Sequence, residues 1–166
     1  MNGLEFIKQD AIVADRILGQ TMDGLTNETF HWQPPGTANR ISDLYFHVVT
    51  SQDSRIHKSF QDKPTLWESG WHSKLGLGPE PKWEAFAQGS CELETALQYG
   101  AAVQAAALDY LSSIQPDELD KPLGFQIMGQ DMTVGSMLTL MMLHKGGHGG
   151  EIACLKGIQG LKGLPI

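Results

Sequence analysis

Apolar residues recur at steps of three and four through four long stretches of the chain, which is the spacing of one face of an amphipathic helix. The stretches cover residues 4–25, residues 39 or 42 to 60, residues 84–114, and residues 133 to the glycines at 157, 160 and 163. Asn39 or Ser42 can cap the second helix and Thr133 the fourth. Four long helices with three connectors predict an all-α four-helix bundle, formed by a single domain over residues 1–166.

The connectors contain proline, glycine and aromatic residues that interrupt the helical pattern. In the first connector, residues 26–40, Phe30 and Trp32 are apolar enough to fold back on the bundle. Between the third and fourth helices, residues 123–132 alternate loosely between apolar and polar around Gly129, which predicts a short hairpin or an extended connector.

A long loop over residues 61–83 carries three of the four tryptophans, Trp67, Trp71 and Trp83. Loops of this length inside a compact domain are often functional, although ordered surface packing is an alternative. The loop therefore either covers a binding site as a lid or closes one end of the bundle. Under the first interpretation, Trp67 and Trp71 are candidates for the rim of a ligand pocket.

The apolar face of the fourth helix contains two histidines, His144 and His148. Its members follow one another at helical spacing: Val134, Met137, Met141, His144, His148, Glu151 and Cys154 or Leu155. Residues four apart are neighbours on a helix, so the two imidazoles point the same way. Buried imidazoles need polar partners, and a divalent metal ion is one such partner, while backbone groups are another.

Four glycines flank His148: Gly146, Gly147, Gly149 and Gly150. Each glycine in a helix costs about 1 kcal/mol relative to alanine. Either another helix or a ligand approaches this backbone closely, or the segment is a loop.

A third histidine, His47, borders the inner stripe of the second helix, which also contains Ser51 and Arg55. If the second and fourth helices are neighbours, His47 meets His144 and His148. Three neutral imidazoles leave coordination positions open for water or substrate, as in catalytic metal centres. Such ligands suit zinc, nickel, copper or iron. The remaining histidines, His31, His57 and His72, are expected to be solvated.

Glu151 lies one helical turn beyond His148 and has four interpretations: a fourth ligand, a carboxylate that orients an imidazole, a general base, or a solvated side chain. The motif differs from that of zinc proteases because Lys145 stands where their mechanism needs glutamate.

Composition narrows the function further. The net charge is −7, and lysine and arginine form no cluster, which argues against nucleic acid or an anionic membrane as the main partner. The sequence has no membrane-spanning apolar stretch and no secretory leader, so we expect a cytoplasmic protein. Cys91 and Cys154 are expected to be buried thiols within helices, without a disulfide. The glycines form neither a phosphate-binding loop nor a serine-hydrolase elbow.

Several motifs resemble the DinB/YfiT-like superfamily of metal-binding four-helix bundles. The motifs are Trp32-Gln33-Pro34-Pro35-Gly36, Ile41-Ser42-Asp43-Leu44-Tyr45-Phe46-His47, and Leu143-His144-Lys145-Gly146-Gly147-His148-Gly149-Gly150-Glu151-Ile152. Leu66-Trp67-Glu68-Ser69-Gly70-Trp71 is similar to a loop in part of that superfamily. Relatives often have glutamine or another polar residue where this chain has Glu151.

The resemblance implies a divalent metal, such as zinc, nickel or iron, held by His47, His144 and His148, and it implies a homodimer. It also implies a transferase or isomerase that uses a low-molecular-weight thiol such as bacillithiol or mycothiol on a small-molecule electrophile. The alternatives are a non-enzymatic dimeric bundle that binds metal or a small ligand for sensing or damage response, and a metal-free structural dimer.

Overall fold

The structure is a computed structural model that describes residues 1–88 and 91–165, and it is mostly helical with one small sheet. The α-helices are α1 (Gly3–Thr21), α2 (Asn27–His31), α3 (Ile41–Ser54), α4 (His72–Lys74), α5 (Trp83–Gln88), α6 (Leu93–Ser113) and α7 (Val134–Ile158). Single turns of π-helix follow α3 at Arg55–Ser59 and precede α4 at Trp67–Trp71. A 3₁₀ turn, Pro116–Asp120, leads into the antiparallel strands β1 (Pro122–Ile127) and β2 (Gln130–Thr133).

The four long helices pack around two clusters of buried side chains. Helix α1 contacts α6 and α7, and α3 contacts the same two helices. One cluster contains Phe30, Phe46, Trp67 and Tyr99, and the other is built mainly from aliphatic and methionine side chains of α6 and α7. Because α3 and α7 are neighbours, the histidines predicted on these two helices lie on facing elements.

The predicted first and fourth helices are confirmed. Helix α1 ends at Thr21, before the predicted end at residue 25, and the ammonium of Lys156 donates hydrogen bonds to the carbonyls of Thr21 (2.6 Å) and Asp23 (2.7 Å). These bonds satisfy carbonyls that the end of a helix leaves without partners. Helix α7 begins as expected, because the Thr133 hydroxyl accepts a hydrogen bond from the backbone N–H of Ser136 at 3.2 Å.

The second helix is also confirmed, but its predicted cap is wrong. The N-cap residue is Arg40, and neither Asn39 nor Ser42 takes that position. The carboxylate of Asp43 accepts the backbone N–H of Arg40 at 3.4 Å and pairs with its guanidinium at 2.9 Å. A charged pair therefore caps this end of α3.

The prediction of one helix over residues 84–114 is wrong, because two helices occupy that span. Cys91 and Glu92 are not helical, and residues 89 and 90 lie outside the described residues. The side-chain oxygen of Asn27 accepts the backbone N–H of Leu93 at 2.7 Å, and its amide donates to Glu92. A residue of α2 thus fixes the start of α6, a contact that helical spacing cannot reveal.

Both remaining connectors are ordered. The predicted hairpin is confirmed, with Met128 (φ 51°) and Gly129 (φ 76°) at its tip, where positive φ at both positions is the conformation of a type I′ turn. In the first connector Phe30 is fully buried, as the expectation that it folds back requires.

The 61–83 segment is held against the core by Asp53, which is buried in α3. The Asp53 carboxylate accepts the backbone N–H groups of Leu66 (3.0 Å) and Trp67 (2.9 Å) and the hydroxyl of Tyr99 (2.7 Å). Trp67 is only 1% exposed. This end of the segment is therefore part of the core.

In the described part of the chain, no helix has the length and apolar character needed to cross a membrane.

Candidate metal centre

Helices α3 and α7 bring His47, His144 and His148 together. His47 lies in the second turn of α3, while His144 and His148 are one turn apart on α7. One ring nitrogen from each residue lies within 4.8 Å of the other two, and all three residues are half-buried. The Nε2 atoms of His47 and His144 are 2.9 Å apart.

The three imidazole rings face one another edge to face. Their centroids are 4.6–5.0 Å apart, and the planes of the three pairs meet at 68°, 88° and 86°. In a tetrahedral centre with metal–nitrogen bonds of about 2.0–2.1 Å, ligand nitrogens stand about 3.3 Å apart. The spacing and the all-imidazole donor set fit a transition metal, so the three histidines could hold a metal ion.

Glu151 contacts one ring nitrogen of His148. Its Oε2 lies 2.6 Å from Nδ1 of His148, and the Glu151 side chain is 57% exposed. A carboxylate on one ring nitrogen leaves the other, Nε2, directed away from it and available to a metal. Of the interpretations drawn from the sequence, this arrangement matches that of a carboxylate that orients an imidazole.

Burial and crowding keep two of the imidazoles neutral. Burial lowers the pKa of His47, and the neighbouring His148 lowers it further. Burial also lowers the pKa of His144 to about 4, with smaller contributions from His148, His47 and Arg55. Neutral imidazole is the form that binds metals, so near pH 7 these two side chains need not lose a proton to become ligands.

Of the three tryptophans in the 61–83 segment, Trp83 is the one that contacts the histidine cluster. Its ring stacks on that of His47, with centroids 4.5 Å apart and planes at 26°. Helix α5, which begins at Trp83, is fixed to α3 by Arg40, whose guanidinium donates to the carbonyl of Phe86 at 2.7 Å. Phe86 in turn stacks on Phe46, with centroids 5.5 Å apart. The fold-back of α5 onto α3 thus supplies an aromatic wall that the sequence pattern did not assign to the site.

Trp67 and Trp71, the candidates for the rim of a ligand pocket, lie apart from the histidine cluster. Neither residue lines the two cavities that His47 borders. Trp67 is buried in the core, where its indole N–H donates to the carbonyl of Pro79 at 3.0 Å. Trp71 packs on Tyr99, with ring centroids 5.5 Å apart. Both side chains are therefore used for packing.

Two cavities adjoin the histidines. One of about 220 Å³ is bordered by His47, His144, Arg55 and apolar residues of α7. A second, of about 410 Å³, is bordered by His47, Arg55 and Trp83. Arg55 is a site residue that sequence reasoning did not propose, although a charged residue on the inner stripe of the second helix was a signal for it.

A buried ion pair lies behind the histidines. The ammonium of Lys145 contacts the carboxylate of Asp15 on α1, and their side chains are 3% and 6% exposed. Burial raises the pKa of Asp15 and lowers that of Lys145, and the pairing opposes both shifts. The sequence pattern did not predict a buried lysine here.

The single apolar face predicted for the fourth helix is only partly correct. Met137 and Met141 are buried, but farther along the same stripe Glu151 and Cys154 are exposed. In that half of α7 the buried residues are Lys145, Gly149, Ile152, Ala153, Leu155 and Lys156. The buried face shifts because α7 contacts both α1 and α3.

Close packing does not explain the glycines around His148. A Cβ added at Gly146, Gly147 or Gly150 would meet no described atom within 4 Å, and at Gly149 it would meet only a methyl group of Leu18 at 3.9 Å. The segment is helical, so the loop alternative is wrong as well. The alternative of a ligand beside this backbone stays a prediction: Gly146, Gly147 and Gly149 line a cavity of about 410 Å³ that α1 borders on its other side.

The other three histidines and the two cysteines differ from their predicted environments. His31 is half-buried, with Nε2 2.8 Å from the carbonyl oxygen of Cys91, and His57 lies 2.7 Å from the carboxylate of Asp53. Neither is therefore simply solvated, and His72 too is half-buried. Cys91 is buried but outside a helix, whereas Cys154 is helical but exposed.

Comparison with known proteins identifies the family. The family model for the DinB superfamily matches residues 14–152, which is most of the chain and includes all three histidines. The chain belongs to the DinB superfamily. No curated protein matches its sequence.

Two crystal structures share the fold of this DinB-superfamily protein. A conserved protein from Enterococcus faecalis has a TM-score of 0.78 and 18% identity, over 94% of this chain and 96% of that one. A DinB-like protein from Bacillus cereus has a TM-score of 0.69 and 18% identity, over 98% of this chain and 96% of that one.

Proposed function

We propose that this DinB-superfamily chain is a metal-dependent enzyme that transfers a low-molecular-weight thiol to a small electrophile. The observation that carries the proposal is the convergence of His47, His144 and His148 beside a cavity of about 220 Å³. Three imidazole ligands leave at least one coordination position of a four-coordinate or higher-coordinate metal open for an additional ligand. A purely structural centre normally uses all of its positions for protein side chains.

A bound divalent metal would supply one chemical effect, which is to lower the pKa of a thiol ligand so that the thiolate predominates near neutral pH. The protein residues would do the rest. Glu151 would hold the ring of His148 in one orientation, and Trp83 would hold that of His47. The apolar side chains of Met137, Leu140 and Met141 line the cavity and would limit access of water to the sulfur.

The reaction would form a sulfur–carbon bond. The sulfur would donate an electron pair to the electrophilic carbon, the leaving group would depart with the electrons of the broken bond, and the thiol proton would pass to solvent. No protein nucleophile is needed, in agreement with the exposed position of Cys154 and its absence from both cavities that His47 borders.

The proposal is tested by assaying protein loaded with zinc, nickel or iron against several thiols and electrophiles. We expect turnover with at least one combination, and His144→Ala should abolish it while the metal-free protein keeps its fold by circular dichroism. His72→Ala is the matched control and should keep activity, because His72 lies outside the histidine cluster. Absence of turnover in all metal-loaded combinations would contradict the enzyme and favour a sensing role.

We also propose that α1, α3, α6 and α7 form the four-helix bundle of the family and that two chains associate as a homodimer. Exposed apolar side chains on α1 and α7, among them Phe6 (63% exposed) and Leu143 (69%), support an interface there. Sedimentation equilibrium tests the dimer. A monomer at all concentrations would contradict it.

A further inference from the structure

Arg55 is a half-buried cation without an acidic partner. It occupies the first position of the π-helical turn that follows α3, two helical turns beyond His47. Within residues 1–88 and 91–165, no carboxylate lies within 4 Å of its guanidinium nitrogens. Arg40, at the other end of α3, is by contrast paired with Asp43 at 2.9 Å.

The guanidinium of Arg55 is held at the cavity by an aromatic ring. Its central carbon lies 5.9 Å from the ring centroid of Phe125 on β1, a contact that can stabilise the cation without neutralising its charge. Arg55 also borders both of the cavities described beside His47. It is therefore placed to meet a ligand that approaches the three histidines.

The charges around the cavity favour an anion. A divalent metal on three neutral imidazoles keeps its full charge of about 2+, and Arg55 adds another positive charge. Lys145 also borders the cavity of about 220 Å³, but Asp15 already neutralises it. Of the carboxylates near these groups, Glu151 is engaged by Nδ1 of His148, and Glu84 borders only the larger cavity. A thiolate bound to the metal would offset part of the metal's charge, but the positive charge of Arg55 would still have no anionic partner.

The smaller cavity, which His47 and His144 both border, limits the size of a ligand held there. About 220 Å³ is below the range of roughly 300–1,000 Å³ that is usual for drug-sized ligands. The rest of the wall is formed by apolar side chains together with two polar ones, so the body of the ligand should be short and mainly apolar; these residues are Val48, Met137, Leu140, Met141, Ser51 and Gln52. Guanidinium groups recognise carboxylates with two parallel hydrogen bonds, a geometry that lysine cannot reproduce.

We propose that the ligand of this site is a small organic acid with two functional ends, a sulfur donor that reaches the metal and a carboxylate that pairs with Arg55. This inference rests on the proposed metal-dependent function and specifies its substrate class. Arg55 is then a specificity-determining residue, which favours acidic thiols over neutral thiols of the same size.

The test uses cobalt(II)-loaded protein and a matched pair of probes, 3-mercaptopropionate and its neutral amide, 3-mercaptopropanamide. Binding is followed by the sulfur-to-cobalt charge-transfer absorbance, and the ratio of acid to amide affinity is measured for each variant. Arg55→Met keeps an unbranched aliphatic side chain and removes the charge, whereas Arg55→Lys keeps the charge but removes the planar guanidinium that can form two parallel hydrogen bonds. Arg16→Gln, on the exposed face of α1, controls for the loss of one positive charge.

We expect Arg55→Met to lower the acid-to-amide ratio by about tenfold or more, since hydrogen bonds between charged groups are the strong ones. Arg55→Lys should retain part of the ratio and Arg16→Gln all of it. Intrinsic differences between the two thiols cancel because each ratio is compared with that of the wild type. If Arg55→Met does not take up cobalt, Arg55→Gln replaces it.

The outcomes separate this inference from the function on which it rests. Cobalt uptake by the wild type, with the same acid-to-amide ratio in the wild type and the Arg55 variants, overturns the role of Arg55 and leaves the metal centre in place. Failure of the wild type to bind cobalt overturns the metal centre and this inference with it.

Discussion

Glu151 contacts His148 through the ring nitrogen Nδ1, at 2.6 Å, and the other nitrogen of that ring remains available to the histidine cluster. The carboxylate is 57% exposed, so it contributes little to the core. Its contact is instead with one imidazole of the cluster, and we expect it to restrain the orientation of that ring. The effect of Glu151 on metal binding can therefore be separated from its effect on stability.

Glu151→Ala should weaken metal binding by about 10–100-fold, the usual effect of removing a residue that orients a ligand. Metal affinity is measured by competition with a chelating dye. The free energy of unfolding of the metal-free protein should change by less than about 0.5 kcal/mol, because the residue is on the surface. Glu94→Ala, at an exposed position in the first turn of α6, is the control and should leave metal affinity unchanged. Equal affinities for the two variants would contradict the role of Glu151.

The buried pair of Lys145 and Asp15 predicts strong coupling between two substitutions. Lys145→Met leaves the Asp15 carboxylate buried without its partner and should cost about 3–5 kcal/mol in the free energy of unfolding. Combining it with Asp15→Leu removes both charges and should recover most of that loss. Urea denaturation of the two single variants and the double variant measures the coupling. Additive effects would contradict it.

The loss of stability caused by Lys145→Met should depend on pH, and the pKa shift of Asp15 gives the direction of that dependence. Burial raises the pKa of Asp15, and without Lys145 nothing in the pair opposes that shift. A carboxyl group with a raised native pKa stabilises the protein below its unfolded pKa of about 3.9, and this contribution is lost as pH rises through the native pKa. Lys145→Met should therefore be more destabilising at pH 8 than at pH 5. A pH-independent difference from the wild type would contradict this expectation.

Two helical glycines should respond in opposite directions to alanine. At Gly100 on α6, an added Cβ would overlap the hydroxyl of Tyr45, whose ring is buried, so Gly100→Ala should cost about 1–3 kcal/mol through overpacking. At Gly150 on α7 the new methyl group would meet no described atom within 4 Å, so Gly150→Ala should gain about 0.5–1 kcal/mol. Thermal denaturation of both variants measures the difference. Stabilisation by Gly100→Ala would show that Tyr45 moves freely.

The two thiols should differ in reactivity. Burial raises the pKa of the Cys91 thiol to about 11, so at pH 8 it stays protonated and covered, whereas Cys154 is exposed. Ellman's reagent should label about one thiol rapidly in the native protein and the second only in urea, because the thiolate is the reactive form. Cys154→Ser should remove the rapid phase and Cys91→Ser the slow one. The reverse assignment would contradict the burial of Cys91.

The sequence predicted those parts of the fold and site that depend on local spacing. Helices α1, α3 and α7 and the hairpin followed from periodicity and turn residues. The histidine cluster followed from a pair four residues apart and from a third histidine on the inner stripe of the second helix. Their meeting required only that α3 and α7 be neighbours, which they are.

Features that depend on contacts distant in sequence could not be predicted. The start of α6 depends on Asn27, and the stacking of Trp83 on His47 depends on how α5 folds back onto α3. Lys145 was missed for a related reason. A single stripe was assumed for α7, but this helix packs on α1 as well as α3, so a second face is buried.

The most direct test of the account is the metal content of the protein after reloading with zinc, nickel or iron and removal of excess metal, measured by elemental analysis. The wild type and the control His72→Ala should each retain about one equivalent of a transition metal. The triple variant His47→Ala, His144→Ala and His148→Ala should retain none, while circular dichroism confirms that its helices remain. A triple variant that retains as much metal as the wild type, or a wild type that retains none of the three metals, would contradict the proposed metal centre.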